Sequence, residues 1–417
     1  MNMENIEINI EEIKPYENNA KEHPDSQLKT LAYSLKNYGW QSPIIVDKNN
    51  VIIAGHGRIE AYKKYPEGIE TPWIKNNEGE TLSGKPGKKL TPKQVKELRL
   101  ADNKTNESPW LNELLLPELK ELQLEGTDIE DLGFDKDLII EPEEKDDQVP
   151  EVPEEPKANL GDIYQLGNHR IMCGDSTKLE DVEKLMDGKK GKVIFTSPPY
   201  NINSGMYESY EDNLKSEEYI DFNINIINIW KKHLKGFIFW NISYNKNSRW
   251  EFIEIFYRIV KETGLKFLEL IVWNKKQALP ITSKEMFTRQ YEDVLLVGDE
   301  HSIQEDLDMF VCARNDKKAF FNKKTNRGIT NYWEIGTNKT QLKNHLACYP
   351  VMLPVKGIIL MSNEKDIVMD PFIGSGSTLI ACEKTNRICY GMELDPKYID
   401  VIIKRYEDYT GNKAIKL

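Results

Sequence analysis

Lys192-Val-Ile-Phe-Thr-Ser-Pro-Pro-Tyr200 decides how this chain is read. A short β-branched and aromatic run, Lys192-Val-Ile-Phe-Thr196, predicts a buried strand. The two consecutive prolines that follow cannot continue a central strand, because each fixes φ and lacks an N–H for the ladder. The chain therefore turns out at the carboxyl edge of a sheet with Ser197, Pro198, Pro199 and Tyr200 at the exit.

Working outward, six further runs of the same kind alternate with longer amphipathic stretches. They are Arg170–Cys173, Gly236–Trp240, Phe267–Trp273, Asp293–Val297, Asp366–Met369 and Arg387–Gly391. Strands separated by helices predict an α/β fold with a doubly wound, Rossmann-like sheet. Ligands of such sheets bind beyond the carboxyl ends of the strands. One such end carries Asp370-Pro-Phe-Ile-Gly-Ser-Gly-Ser-Thr378, a glycine turn ahead of the helical Leu379–Lys384. Its glycines allow backbone N–H groups to approach a ligand at a helix start, where negative charge is favoured. No Lys follows the second glycine and the spacing is not GxGxxG, which argues against a triphosphate loop. The next predicted strand ends in Gly391-Met-Glu-Leu-Asp395, an acid placed for a ribose diol, with Glu393 preferred and Asp395 as the spare.

These residues resemble the amino-methyltransferases of DNA. Ser197 to Tyr200 match that family's (Asp/Asn/Ser)-Pro-Pro-(Tyr/Phe) motif, and Asp370 to Gly376 match its Asp-Pro-Phe-x-Gly-Ser-Gly motif. The catalytic motif precedes the cofactor motif, the circularly permuted order of the β class. The resemblance implies a methylase using S-adenosylmethionine, with Ser197, Pro198, Pro199 and Tyr200 catalytic. It implies Asp175, Asp370, Pro371, Phe372, Gly374, Ser375, Gly376, Thr378 and Glu393 as cofactor-binding residues, with Asp175 at the adenine and Glu393 at the ribose. His345-Leu-Ala-Cys-Tyr-Pro350 stands where the family has His-Pro-x-x-x-Pro but departs from it, since Leu346 replaces the first proline. Asn274 and Lys275 match a Trp-Asn-Lys motif whose role is left open.

The target chemistry follows from these residue types. An amine on a base is a poor nucleophile, and acceptors such as Ser197 Oγ and the Pro198 carbonyl favour a more tetrahedral nitrogen. A base in a duplex must first be flipped out, and Tyr200 is placed to stack on it. Methylation at a ring carbon needs a thiolate, usually in Pro-Cys, and none of Cys173, Cys312, Cys348, Cys382 and Cys389 follows a proline. In the resembling family Ser at the first motif position is commoner among cytosine-N4 enzymes, which favours N4 of cytosine over N6 of adenine. Two other classes remain open here: a nucleotide-dependent DNA-binding clamp with a degenerate methylase half, and a methylase of RNA or protein amides.

The net charge of -12 does not veto DNA once it is divided along the chain. Residues 1–140 carry 18 basic and 25 acidic side chains, 141–158 carry 2 and 8, and 159–417 carry 36 and 35. The long C-terminal part is thus near neutral and can present a basic face to phosphate. Arg314, Lys317, Lys318, Lys323, Lys324 and Arg327 form such a cluster, expected to touch DNA inside a target-recognition region at about 298–344 without clear strand periodicity.

Glu141–Pro156 is proline-spaced and acidic, which predicts an extended linker over 141–158 between a front domain, 1–140, and the methylase domain, 159–417. In the front domain Ile52-Ile-Ala-Gly-His-Gly-Arg58 follows the strand-like Pro43-Ile-Ile-Val46 and opens a helix. Gly55, His56, Gly57 and Arg58 make an anion cradle there. With Ile13-Lys-Pro-Tyr16 and Leu100-Ala-Asp-Asn-Lys104, this resembles the ParB-like (ParB/sulfiredoxin) fold, a smaller α+β domain. The resemblance implies a binding module for nucleotide or nucleic acid. An odd number of cysteines without CxxC spacing argues against disulfides and a Cys-rich zinc site, and no metal is expected. No apolar run is long enough for a bilayer and the start lacks a signal-peptide pattern, so the expected location is the cytoplasm. Double-stranded DNA is the expected partner; the oligomeric state is left open.

Overall fold

The computed structural model describes residues 8–15, 23, 25–104, 112–134, 136–201, 213–244, 248–276, 290–298, 309–314, 317–322, 327–328, 330–336 and 348–417. The chain divides into two units, the first over residues 1–139 with 324–327 and the second over 140–323 with 328–417.

In the first unit α1 (Asp25–Tyr38) precedes β1 (Ile44–Val46), β2 (Ile52–Ala54) and α2 (His56–Lys64). Then come β3 (Ile74–Asn76), β4 (Thr81–Ser83), α3 (Pro92–Lys104) and α4 (Asn112–Leu124). The strands lie in the order β2-β1-β3-β4, with β1 and β3 parallel. Ile13, Leu35, Trp40, Ile44, Val46, Ile52, Ile59 and Ile74 form its core, and the Trp40 indole N–H donates to Glu70 O at 2.9 Å.

The second unit runs β5 (Ile163–Leu166), β6 (His169–Cys173), α5 (Leu179–Met186), β7 (Gly191–Thr196), α6 (Ser216–Trp230), β8 (Leu234–Ile242) and α7 (Arg249–Glu262). It continues with β9 (Lys266–Asn274), β10 (Tyr291–Gly298), β11 (Met309–Arg314), β12 (Lys317–Asn322), β13 (Arg327–Gly328, of which only Gly328 belongs to this unit) and β14 (Tyr332–Glu334). It ends with α8 (Met352–Met361), β15 (Ile367–Asp370), α9 (Ser377–Lys384), β16 (Ile388–Glu393), α10 (Pro396–Thr410) and β17 (Ile415–Lys416).

Ten of these strands make one sheet in the order β14-β9-β10-β8-β7-β15-β16-β6-β5-β17. From β8 to β6 the strands are parallel, and β10 is antiparallel to both its neighbours. Strands covered on both faces read as continuous apolar runs, as β7, β8 and β15 do; each of the seven sequence runs is a strand of this sheet, with β9 nearer its edge and partly exposed. Alternation along β7 sends Val193 and Phe195 to one core, with Phe237 and Phe239 of β8 and helices α8, α9 and α10. Ile194 faces the other core, with Ile238, Trp240 and helices α5, α6 and α7. The sheet is doubly wound, as expected. Among the described residues no helix is long and apolar enough to cross a membrane.

Two features differ from the sequence expectation. Region 298–344 contains strands: β11 and β12 pair antiparallel, and β14 extends the large sheet beside β9. Charged side chains on a short hairpin mask its alternation, and β14 is only three residues long. The acidic segment also departs from an extended linker, because its first part is folded into the second unit. Asp146 is 1% exposed; its carboxylate accepts from Lys384 Nζ and Tyr409 Oη, and its carbonyl from Arg405 Nη2 at 2.7 Å. Asp147 Oδ1 accepts the Val351 N–H at 2.8 Å, at the start of α8. Composition registered the charge; besides the Glu143 N–H, which its carboxylate also accepts, these partners of Asp146 lie more than 200 residues away in sequence.

Removing the Asp146 carboxylate leaves a buried ammonium with Glu143 as its remaining acid. Asp146→Ala is expected to cost near the lower end of the roughly 3–5 kcal/mol that follows the loss of one buried partner, while exposed Glu151→Ala stays within about 0.5 kcal/mol. Denaturant unfolding of the two variants measures this, and equal costs would restore the extended-linker reading.

Candidate functional site

The site lies where β7 and β15 end side by side. Thr196, the last residue of β7, donates from Oγ1 to Asp370 Oδ1 at 2.6 Å, and Asp370 is the last residue of β15. The Asp370 carboxylate is fully buried and also accepts from Thr378 Oγ1 at 2.6 Å, Tyr349 Oη at 3.1 Å and the Phe372 N–H at 3.0 Å. Burial pushes its pKa up and these donors oppose the rise. The two loops that leave these strands are thereby fixed to each other, and a cavity of about 390 Å³ opens between them.

One side of the cavity is Pro371, Phe372, Ile373, Gly374 and Ser375, with Met392, Glu393, Leu394 and Asp395 after β16 and Gly174 to Thr177 after β6. Gly374 and Gly376 both hold positive φ, +53° and +89°, which lets the backbone turn into α9; a Cβ on Gly374 would meet nothing nearer than 4.0 Å, and one on Gly376 would lie 3.4 Å from Ile402 of α10. Glu393 Oε2 accepts the Gly374 N–H and Oε1 the Asp395 N–H, each at 3.0 Å. Burial pushes the Glu393 carboxyl up to about 7, against the pull of those two N–H groups. Asp395 caps α10 by accepting the Lys397 N–H at 2.9 Å, so the two acids divide the work and Glu393 is the one braced at the glycine turn. Asp175 Oδ1 accepts from the Thr177 N–H and Oγ1.

The other side is Ser197 and Pro199, with Leu214 and Phe222. Tyr219 Oη donates to Pro199 O at 2.7 Å and pins the turn to α6. Ser197 Oγ lies 2.8 Å from Tyr200 Oη, and Tyr200 donates to Glu292 Oε2 at 3.2 Å. Asn241 Nδ2 reaches Tyr200 Oη at 3.1 Å and Ser197 Oγ at 3.4 Å. Cys348 also lines the cavity, but its thiol is bonded to Ser375 Oγ at 2.6 Å and burial pushes its pKa up, which keeps it from serving as a thiolate nucleophile.

The residues singled out from sequence divide as follows. Ser197, Pro199, Asp175, Pro371, Phe372, Gly374, Ser375 and Glu393 line the cavity. Asp370, Gly376 and Thr378 stand behind its wall: Asp370 and Thr378 hold the strand ends together, and Gly376 starts α9. Tyr200 sits beside Ser197 rather than in the lining, and Pro198 lies in the turn between them. Arg314 and Lys317 are register partners on the β11–β12 hairpin, Lys318 is next to them, and Arg327 is in β13; Lys323 and Lys324 lie outside the described residues. His345, Leu346 and Ala347 also lie outside them, while Cys348 and Tyr349 reach the cavity. In the first unit Gly55 precedes α2 and His56, Gly57 and Arg58 form its first turn, with Arg58 Nη2 donating to Pro43 O at 3.4 Å.

Sequence reasoning missed Asn241, Glu292, Tyr349 and Arg405. Arg405 is buried in α10 and donates from Nη1 to Ser375 O at 2.9 Å, bracing the glycine turn from behind. Asn241 and Glu292 had a readable signal: each is a polar residue at the end of an apolar strand run, and β10 is antiparallel, so its beginning lies at the same edge as the ends of β7 and β8.

The cavity fits S-adenosylmethionine. Its volume is of small-molecule size, its walls join apolar Phe372, Leu394 and Met392 to a braced carboxylate at Glu393, and the glycine turn has no Cβ to fill the space. The model of a DNA methylase family of the N6/N4 type matches residues 192–405. The chain is 27% identical over 261 residues to the Type II methyltransferase M.HpaI of Haemophilus parainfluenzae, covering 60% of this chain and 77% of that protein. It is 30% identical over 153 residues to the Type II methyltransferase M.Cfr9I of Citrobacter freundii, covering 37% of this chain and 48% of that one. A third relative, the ParB-like nuclease domain-containing protein YnaK of Escherichia coli strain K12, is 42% identical over 52 residues, 12% of this chain and 60% of its own length. The glycine turn, the Ser-Pro-Pro-Tyr exit and a family match over half of the chain agree: the chain belongs to the DNA methylase family and is an S-adenosylmethionine-dependent DNA methyltransferase.

Proposed function

We propose that the protein methylates an exocyclic amino nitrogen of a base flipped out of duplex DNA, N4 of cytosine in preference to N6 of adenine. One observation carries this reading: Ser197 and the braced glycine turn with Glu393 face a single cavity, so an acceptor for an amino group and a nucleoside cradle share one space. The preference for cytosine rests on Ser rather than Asp at position 197.

When bound, S-adenosylmethionine supplies an electrophilic methyl group on a sulfonium. Glu393 would accept the ribose hydroxyls, Asp175 would serve the adenine, and Gly374 lets the backbone come close. Ser197 Oγ, with the Pro198 carbonyl, would accept the amino hydrogens and turn the nitrogen lone pair out of the ring plane. Tyr200 would flank the flipped base. Cys348, protonated and engaged by Ser375, offers no route through a covalent adduct at a ring carbon, which supports amino over carbon methylation. The β11–β12 hairpin with Arg314, Lys317 and Lys318, and Arg327 after it, would contact the DNA, together with Lys323 and Lys324. Gly55 to Arg58 would hold a phosphate of nucleotide or DNA at the start of α2, making the first unit a binding module.

Purified protein incubated with S-adenosylmethionine and duplex DNA of mixed sequence, then digested for nucleoside mass spectrometry, is expected to yield N4-methylcytosine. N6-methyladenine would reverse the base preference, and no methylated nucleoside with cofactor binding intact would sink the proposal. Ser197→Ala should lower kcat by about 100-fold or more with little change in cofactor affinity, whereas Glu393→Ala should chiefly weaken the cofactor; equal effects on both quantities would contradict these roles.

Because Glu393 is raised to about 7, it carries a proton below that pH in the free protein, and its ionised form is the better acceptor for two hydroxyls. Cofactor affinity should therefore tighten as pH rises through 7 and then level off, with binding at pH 6 about tenfold weaker than at pH 8. Calorimetric titration across this range checks it, and Glu393→Gln should flatten the profile; an unchanged slope in that variant would move the titration to another group.

A further inference from the structure

Glu292 is the second residue of β10, and its carboxylate collects three donors at the sheet edge. Oε1 is paired with Lys275 Nζ, while Oε2 accepts from Tyr200 Oη at 3.2 Å and from Asn241 Nδ2 at 3.3 Å. The Glu292 and Lys275 side chains are 12% and 27% exposed, so the pair is largely withdrawn from water. The orientation of the Asn241 amide follows: its nitrogen, not its oxygen, must face the carboxylate.

This arrangement fixes the direction of a hydrogen-bond chain. A carboxylate paired with an ammonium accepts and does not donate, so the single hydroxyl proton of Tyr200 is committed to Glu292. The 2.8 Å contact between Ser197 Oγ and Tyr200 Oη then requires Ser197 to be the donor. Asn241 agrees with that polarity, since its two Nδ2 hydrogens are shared among Glu292 Oε2, Tyr200 Oη and Ser197 Oγ, each of which meets it as an acceptor. The Ser197 proton is thus turned towards Tyr200, and what Ser197 Oγ has left to offer is lone pairs. An unguided serine hydroxyl can either donate or accept; a target amino group needs an acceptor and is opposed by a proton aimed at it.

We propose that Glu292, charge-paired with Lys275, is a positioning residue that sets this chain so that Ser197 Oγ meets the target amino group as an acceptor. The proposal rests on the amino-methyltransfer reading above and assigns a use to Lys275 of the Trp-Asn-Lys sequence. It also explains how a neutral serine can do what an aspartate would do by charge alone: the charge stands two hydrogen bonds away, at Glu292.

The test is made on the full-length protein with duplex DNA. Glu292→Gln removes the charge and places an N–H where Tyr200 now donates, so kcat should fall by roughly 10- to 100-fold while the cofactor dissociation constant changes less than about threefold. The same change is then made in a Ser197→Asn background, whose side-chain carbonyl is an acceptor whichever way the chain runs. There Glu292→Gln should cost less than about threefold; the full cost in both backgrounds would overturn the proposal, because a merely structural role is indifferent to the residue at 197. If Ser197→Asn alone gives no turnover, the Tyr200→Phe background serves, since it already severs the chain. In that background a small further cost supports the proposal and an undiminished one overturns it. Lys275→Arg, which keeps the charge pair, should retain activity within about threefold, and Lys275→Met should approach the Glu292→Gln loss; equal activity of the two would also count against it. Methylation by the wild type tests the underlying reading separately, so failure of one is told apart from failure of the other.

Discussion

Everything at the carboxyl edge of the large sheet depends on the buried bond between Thr196 and Asp370. Two parallel strands from opposite ends of the second unit end side by side, and each must release a loop without letting the other drift. The Asp370 carboxylate is too costly to bury without partners, and it is satisfied by Thr196, Thr378, Tyr349 and its own loop's Phe372 N–H. Those partners come from the end of β7, from α9, from the segment before α8 and from the turn after β15. A single acid therefore locks the target turn and the cofactor turn into one geometry. This is a different task from touching the cofactor, and it accounts for why Asp370 stands behind the cavity wall.

A second layer surrounds this lock. Arg405 on α10 holds the carbonyl of Ser375 with Nη1 and the carbonyl of Asp146 in the acidic segment with Nη2. Asp147 caps the start of α8, directly after the cavity residues Cys348 and Tyr349. Residues far apart in sequence thus brace the glycine turn from behind, where water is excluded and each hydrogen bond counts for more. The front of the cavity is left to groups that can exchange partners: the Glu393 carboxylate and the Ser197 hydroxyl.

The circular order of the motifs has a physical consequence as well. The target turn precedes the cofactor turn by about 175 residues, yet parallel pairing of β7 with β15 makes them neighbours. What lies between them in sequence, from α6 to α8, includes the antiparallel β10, and only an antiparallel strand brings its beginning to that edge. Glu292 reaches Tyr200 for this reason.

The sequence by itself determined the sheet and its two essential loops. Short apolar runs rich in β-branched and aromatic residues favour buried strands, two prolines must end a strand, and glycines before a helix mark a close backbone approach; all of these are local rules, legible in order along the chain. Seven strands and the exits at Ser197 and Gly374 follow from them. The short β5, β14 and β17 were not legible, because two to four residues carry too little periodicity and owe their pairing to the sheet already present. The fate of the acidic segment was hidden too, since proline and charge signal extension unless a buried Lys384 and Arg405 wait elsewhere for carboxylate and carbonyl partners. Only the tertiary structure decided that Asp370 locks strands, that Asp395 caps a helix, and that Asn241, Glu292 and Lys275 gather around Tyr200 and, through it, Ser197. Each of those roles is set by which distant side chain shares a buried volume, and proximity of that kind is created by strand order and direction, which no local pattern encodes.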